Sequence, residues 1–151
     1  MKIVISDTTA ITSLEQIGHL DLLHDLYHEI IIPNAVYEEL QIYHVALCKP
    51  WIRVEKVQNI SLLPDNLDDG EAEAIALAEE LEADLLIIDE RKGYKEAEKR
   101  GIEVIGLLGI LLVAKRKKLI SSLKPILSTL KNIGFYIDSS LVCRVLEEAG
   151  E

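Results

Sequence analysis

The regular alternation of short β-branched runs with segments of helical spacing is the strongest constraint on the fold of this chain. The first run, residues 3–5, is closed by Ser6-Asp7-Thr8-Thr9, whose side chains favour helix N-caps. Strands that alternate with helices in this way favour βαβ units and a parallel sheet covered on both faces. Five runs predict strands: residues 3–5, 29–32, 51–57, 85–88 and 104–105.

The intervening segments carry apolar residues at helical spacing. Gly18 is placed to end the first helix, and the helix that opens at Asp68-Asp69-Gly70 is rich in Ala and Glu, both strong helix formers. Residues 85–88 form a continuous apolar run, which is typical of a central parallel strand, whereas residues 51–57 suit a sheet edge. No repeat or linker divides the chain, so we predict one domain over residues 1–151. The predicted helices span residues 10–17, 20–27, 35–46, 68–81, 92–100, 108–117, 122–132 and 139–149.

The composition limits the classes of function that the chain can serve. Its 151 residues are 49% hydrophobic, which is enough for one ordinary core. The net charge of −10 is unfavourable for a protein that simply coats nucleic acid, because phosphates repel a negative field. It is compatible with a carboxylate metal site, with a basic protein partner, or with a plainly soluble surface.

The cysteines and the apolar stretches bear on location. Cys48 and Cys143 have no CxxC spacing, so we expect a reduced, cytoplasmic setting without a disulfide framework, and Cys143 is predicted to lie in the core. The apolar run near the N-terminus is too short for a signal peptide. Residues 104–114 are too few to cross a bilayer, which needs about 20 residues. We therefore expect no membrane role.

Four carboxylates are placed to meet at one edge of the predicted sheet. Asp7 follows the first strand and Asp89 the fourth; Glu39 lies two turns into the helix after strand two, and Glu71 lies in the first turn of the helix that leads to strand four. Ligands of open parallel sheets bind at this edge. Alone, each has an ordinary interpretation as a helix cap or a solvated residue. Together they would repel one another unless cations compensate, and oxygen-rich sites suit Mg²⁺ or Mn²⁺.

Other common catalytic patterns are missing from the sequence. No GxGxxG, P-loop or GxSxG motif occurs. His24 and His28 could share a helical face, but no third ligand lies near them in the sequence. We therefore interpret them, with His19 and His44, as surface or packing residues.

The basic residues are gathered in two runs, at 91–100 and at 115–118, with Lys124 a little beyond. One interpretation is compensation of helix C-termini, since both runs fall largely in predicted last turns. The other is that Arg91 and Lys92 flank the carboxylates and hold substrate phosphates. The sequence leaves both open.

Four segments, in order and with matching spacing, resemble the motifs of PIN domains. Residues 3–9 (IVISDTT) resemble the opening motif, a strand that ends in an Asp followed by Thr. Residues 32–40 (IPNAVYEEL) are similar to the second motif, whose Glu precedes Leu and so selects Glu39. Residues 69–78 (DGEAEAIALA) look like the third motif with Glu in place of the usual Asp, and residues 83–89 (ADLLIID) resemble the fourth. The likeness extends from residue 2 to about residue 112 and is nearest to a prokaryotic branch related to the VapC-type toxin ribonucleases.

The resemblance implies a three-layer α/β/α fold with a mostly parallel sheet of about five strands. It also implies Mg²⁺ or Mn²⁺ held by Asp7, Glu39, Glu71 and Asp89, endonucleolytic cleavage of RNA, a homodimer, and a small antitoxin partner. Because Glu71 replaces the usual Asp, Glu73 is an alternative ligand. Bound metal would lower the pKa of a water for attack at phosphorus. Thr8 or Thr9 would orient a ligand or touch phosphate.

Three other interpretations compete with a nuclease. A non-catalytic module of the same fold would bind RNA or a protein. A receiver-like phosphotransfer domain would need a lysine at a late strand end, which residues 105–107 do not supply. A haloacid-dehalogenase-like enzyme would need a second carboxylate at Thr9.

Overall fold

A computed structural model describes residues 2–43, 49–59 and 63–151 of the chain. Within these residues, strands and helices alternate as the sequence predicts. The elements are β1 (Val4–Ser6), α1 (Thr8–Gln16), α2 (Asp21–Tyr27), β2 (Ile30–Pro33), α3 (Asn34–Ile42), β3 (Ile52–Glu55), α4 (Asp69–Glu80), β4 (Leu85–Ile87), α5 (Arg91–Lys99), β5 (Val104–Ile105), α6 (Leu107–Arg116), α7 (Lys124–Asn132) and α8 (Ser139–Glu148).

The five strands form one parallel sheet in the order β3-β2-β1-β4-β5. The chain moves outward from β1 to β3 on one side and then returns to place β4 on the other side of β1. The strand order therefore reverses between β1 and β4, where open sheets form their ligand crevice. Asp7 and Asp89 follow these two strands.

Both faces of the sheet are covered, because successive strand residues point to opposite faces. Val4 packs with α1, α2, α6 and α7 on one side, whereas Ile5 packs with α4 and α5 on the other. Along β4 and just beyond it, Leu86 and Ile88 join the second cluster and Ile87 joins the first. The predicted three-layer α/β/α fold is confirmed.

Several boundaries differ from the predicted ones. β3 is confined to Ile52–Glu55 at the sheet edge, two residues shorter at its end than predicted. The described part of α3 ends at Ile42 with Tyr43 as its C-cap; the rest of the predicted extension, residues 44–46, lies with His44 and Cys48 outside the described part. Among the described residues no helix has the length and apolar character needed to span a bilayer.

The prediction that Cys143 belongs to the core is wrong. Cys143 is exposed on α8. The inward face of this helix is formed by Val145, with Leu141, Val142 and Leu146 packed partly against the core. Cys143 falls between these i, i+4 pairs and turns toward solvent.

Candidate active site

Asp7 joins three elements at the carboxyl end of β1. It is the N-cap of α1, where its Oδ1 accepts a hydrogen bond from Ala10 N at 3.2 Å. Its Oδ2 accepts from Asp89 N at 3.0 Å, and its own N–H donates to Ile87 O at 2.9 Å. Only 2% of Asp7 is exposed. Burial raises its pKa to about 7 in spite of the two backbone donors, and the charges of Asp89 and Asp68 add to the rise.

Asp89 lies just beyond β4 and faces the start of α6. Its Oδ1 accepts a hydrogen bond from Leu107 N, the first residue of that helix, at 3.0 Å. Burial raises the pKa of Asp89, the Leu107 donor opposes the rise, and the charge of Glu90 adds to it. Asp7 and Asp89 are thus each fixed by backbone N–H groups at a helix N-terminus.

Glu71 belongs to a capping box at the start of α4. Asp68 Oδ1 accepts from Glu71 N at 2.8 Å, and Glu71 Oε1 accepts from Asp68 N at 3.4 Å. The other oxygen, Oε2, is buried and has no hydrogen-bond partner in the described structure. Burial, followed by the neighbouring Asp68, raises the pKa of Glu71 to about 8.

Glu39 projects from α3 toward the second residue of α4. A Cβ at Gly70 would collide with the Glu39 carboxylate, so glycine permits this close approach. Burial raises the pKa of Glu39; the Thr8 hydroxyl faces the carboxylate and offsets part of the rise, although their geometry is not that of a full hydrogen bond. Gly93 plays the same part for Glu71, since a Cβ there would lie 2.8 Å from Glu71 Oε2.

These side chains enclose a cavity of about 40 Å³, the size of one or two small ions or waters. Three of the four predicted carboxylates, Asp7, Glu39 and Glu71, line this cavity. Asp89 does not line it, but its backbone N–H donates to Asp7 Oδ2. Within the described residues, no ion pair involves any of the lining carboxylates. The lining residues are Asp7, Thr8, Thr9, Glu39, Asp68, Glu71 and Glu90.

Asp68 and Glu90 are lining residues that the sequence interpretation missed. The sequence does contain a pattern that indicates Asp68, because this residue stands three positions before Glu71 as the first member of a capping box. Glu90 follows Asp89 directly and offers no separate signal. Together they make the cavity more acidic than four predicted carboxylates would.

The predicted substrate residues occupy different places. Thr8 lines the cavity, and its Oγ1 is buried without a hydrogen-bond partner. Arg91 and Lys92 are exposed in the first turn of α5 and do not line the cavity. Compensation of a helix C-terminus therefore cannot explain these two, because α5 begins two residues after Asp89 and only Lys99 lies in its last turn.

Glu73, the alternative ligand, points elsewhere. Its Oε1 accepts a hydrogen bond from Ala35 N at 3.1 Å, in the first turn of α3. That helix has no side-chain cap of its own. Glu73 therefore ties α4 to the helix that carries Glu39.

The residues present suit a hard divalent cation. All the candidate ligands are carboxylate or hydroxyl oxygens, and Glu71 Oε2 is a buried acceptor that lacks a partner. The carboxylate oxygens do not surround a single point, since the described residues include no group of three His, Cys, Asp or Glu side chains with the geometry to hold an ion.

Comparison with known proteins agrees with this architecture. The chain is similar in structure to a PilT N-terminus domain protein from the hyperthermophilic archaeon Sulfolobus solfataricus, with a TM-score of 0.62 and 20% identity over 74% of this chain and 92% of that one. At this identity the likeness shows the fold alone. No curated protein matches the sequence at a significant level.

A family model described as a PIN domain matches residues 3–151, nearly the whole chain. The match includes β1, β4 and the four carboxylates from Asp7 to Asp89. PIN domains are generally nucleases and typically use divalent metal ions. The chain belongs to the PIN-domain family.

Proposed function

We propose that this protein is a metal-dependent endoribonuclease that hydrolyses RNA phosphodiester bonds at the carboxylate cavity. One observation carries the proposal. Five carboxylates line a cavity of about 40 Å³, and no cation of the described chain pairs with any of them. Such a cluster is costly to a fold that gains nothing from it.

Asp7, Glu39 and Glu71 would hold Mg²⁺ or Mn²⁺, with Asp89 completing the set from behind Asp7. When bound, the divalent ion supplies a nucleophilic water at neutral pH and neutralises charge on the phosphate. The chain's own residues orient the ligands: backbone N–H groups of Ala10 and Leu107 fix Asp7 and Asp89. Their rotamers are therefore set before substrate arrives.

Thr8 is the residue best placed to meet the substrate. Its hydroxyl is buried, lines the cavity and has no partner in the described structure. It can donate to a non-bridging phosphate oxygen without first breaking another hydrogen bond. The acidic cavity would otherwise repel phosphate, so the phosphate to be cut is expected to enter the cavity only together with the cation.

A non-catalytic interaction module is the second candidate, favoured by the open arrangement of the acceptors, which are not gathered around one point in the described residues. The homodimer, the small antitoxin partner and the cytoplasmic location implied by the resemblance stay predictions.

The test is cleavage of a mixed set of structured and single-stranded RNAs by purified protein with Mn²⁺ or Mg²⁺. Asp7→Asn and Glu39→Gln should each lower the rate by at least about 100-fold. Glu38→Gln is the matched control, because Glu38 is the exposed neighbour of Glu39 and loses the same charge. EDTA should abolish cutting.

Equal cutting by the wild type and Asp7→Asn would indicate a contaminant and refute the proposal. A folded wild type that binds the metal and RNA but leaves every RNA intact would favour the non-catalytic module.

A further inference from the structure

A second groove of about 250 Å³ runs beside α5, outside the carboxylate cavity. One wall is the helix, and the other is the connection that leads to α4. No lining residue is aromatic. The lining residues are Pro64, Asn66, Leu67, Lys92, Lys95, Glu96 and Lys99.

The groove is basic in a chain whose net charge is −10. Lys92, Lys95 and Lys99 are all exposed and stand three and four residues apart, on one face of α5. No ion pair engages these three lysines within the described part of the chain. The one acidic lining residue, Glu96, is held by Arg100, with Nε and Oε2 2.7 Å apart. Three positive charges therefore remain available to a ligand.

The groove begins at the edge of the candidate active site. Lys92 directly precedes Gly93, where an added Cβ would lie 2.8 Å from Glu71 Oε2, and it follows Glu90, which lines the cavity, by two residues. From Lys92 to Lys99 the helix rises about 10 Å, enough for a strand to present two or three phosphates. A chain bound along this face would enter the carboxylate cavity at its Lys92 end.

We propose that this groove holds the phosphate backbone of a single-stranded RNA on one side of the bond to be cut. The inference rests on the proposed function. Lysine ammonium groups contact phosphates as point charges, which positions a strand without reading its bases. The groove lining has no aromatic stacking surface, so its affinity for a strand would come from phosphate contacts alone. A groove of about 250 Å³ is too small to enclose a duplex, which is why we infer a single strand.

Binding of a labelled single-stranded RNA 15-mer in EDTA tests the inference without cleavage. The full-length chain with Lys92→Gln, Lys95→Gln and Lys99→Gln is compared with the wild type. The matched control carries Arg116→Gln, Lys117→Gln and Lys118→Gln, which removes the same charge from an exposed run at the end of α6. Gln forms helices about as well as Lys, so both variants should fold.

We expect the groove variant to bind at least about 10-fold more weakly at low salt, with a salt slope smaller by about 2, the value for three lost phosphate contacts on a single strand. The control should bind within about 2-fold of the wild type. Equal weakening of both variants, no binding by the wild type, or equal binding of a duplex of the same length would overturn the inference.

The two proposals fail separately. A wild type that binds through the groove but does not cut RNA with Mn²⁺ refutes the nuclease and leaves the groove. A wild type that cuts, while the groove variant keeps its affinity and salt slope, refutes the groove alone.

Discussion

The carboxylate cavity and the Glu151 carboxylate both meet helix N-termini, but the pKa values of their carboxyl groups are shifted in opposite directions. In the carboxylate cavity the pKa of Asp7 is raised to about 7 and that of Glu71 to about 8. Near the end of α8, backbone and side-chain donors lower the pKa of Glu151 to about 2, Leu123 N first among them. The four groups that donate to Glu151 are Leu123 N, Ser122 Oγ, Lys124 N and Lys115 Nζ.

The difference lies in burial and in the number of positive partners, since both places use helix N–H donors. Glu151 lies at the surface, caps the start of α7 and pairs with Lys115 at 3.3 Å. Asp7 is buried beside Asp68 and Asp89 and has no basic partner in the described residues. A helix N-terminus alone therefore does not compensate a buried carboxylate cluster. The chain itself completes the α7 cap, whereas we propose an external cation for the cavity.

The largest effect should follow from removing the charge of Asp7. With a folded pKa near 7 against 3.8, Asp7 binds its proton more tightly in the folded state, so its contribution to stability is full below about pH 4 and is lost as the pH rises through 7. In EDTA at pH 8, Asp7→Asn should raise the free energy of unfolding by roughly 1–3 kcal/mol, after allowance for one lost backbone hydrogen bond. At pH 4 it should lower it slightly. Urea unfolding at both pH values measures these changes. A variant that is destabilised at pH 8 would contradict the claim that the buried charge of Asp7 destabilises the fold.

Gly70→Ala should displace the Glu39 side chain that lines the same cavity. The new Cβ would occupy the space of the Glu39 carboxylate, which must then turn away. We expect Mn²⁺ to bind about 10-fold more weakly, or about 1.4 kcal/mol. Alanine is the better helix former, so the melting temperature in EDTA should not fall. Calorimetric titration measures the affinity, and an unchanged affinity would remove Glu39 from the proposed ligands.

Glu73 is a useful contrast to the cavity carboxylates, because it lies on the same helix as Glu71 but has a backbone hydrogen-bond donor, Ala35 N. Glu73→Ala should cost about 1 kcal/mol of stability by freeing Ala35 N, and it should weaken Mn²⁺ binding a few-fold by loosening α3. Glu73→Gln keeps an acceptor oxygen and should restore both quantities. Loss of Mn²⁺ binding in the Gln variant would instead make Glu73 a ligand.

The smallest effect should come from substitution of Glu151, the surface carboxylate that has four hydrogen-bond donors. Because the folded pKa of Glu151 is depressed from 4.5 to about 2, its stabilisation is present above pH 4.5 and is lost as the pH falls toward 2. Glu151→Gln should lower the melting temperature at pH 7 and leave it unchanged near pH 2, with no effect on Mn²⁺ affinity. Equal destabilisation at both pH values would show that its charge is irrelevant to the α7 cap.

Local patterns predicted most of the fold and the positions of the main carboxylates. The apolar strand runs and the helical spacing decide which residues face the sheet, and a carboxylate placed just beyond a parallel strand must lie at its carboxyl edge. Asp7 depends on this local geometry alone, whereas Glu39 and Glu71 reach the same cavity through the packing of α3 against α4.

Long-range packing decided what the sequence did not predict. Glu73 caps a helix 38 residues away, and Glu151 caps one 28 residues away. Neither pairing leaves a periodic signal. Arg91 and Lys92 lie in the first turn of α5, so compensation of a helix C-terminus applies to Lys99 and not to them.

Proton release on Mn²⁺ binding tests the central claim most directly, and calorimetry at pH 7 in buffers of different ionisation enthalpy measures it. At pH 7 in the metal-free protein, Asp7 should be about half protonated and Glu71 largely protonated, so each ion bound should release about one proton or more. Asp7→Asn should lose most of both the binding and the release. Tight Mn²⁺ binding with no proton release, unchanged in Asp7→Asn, would contradict the account of a buried carboxylate cavity completed by a cation.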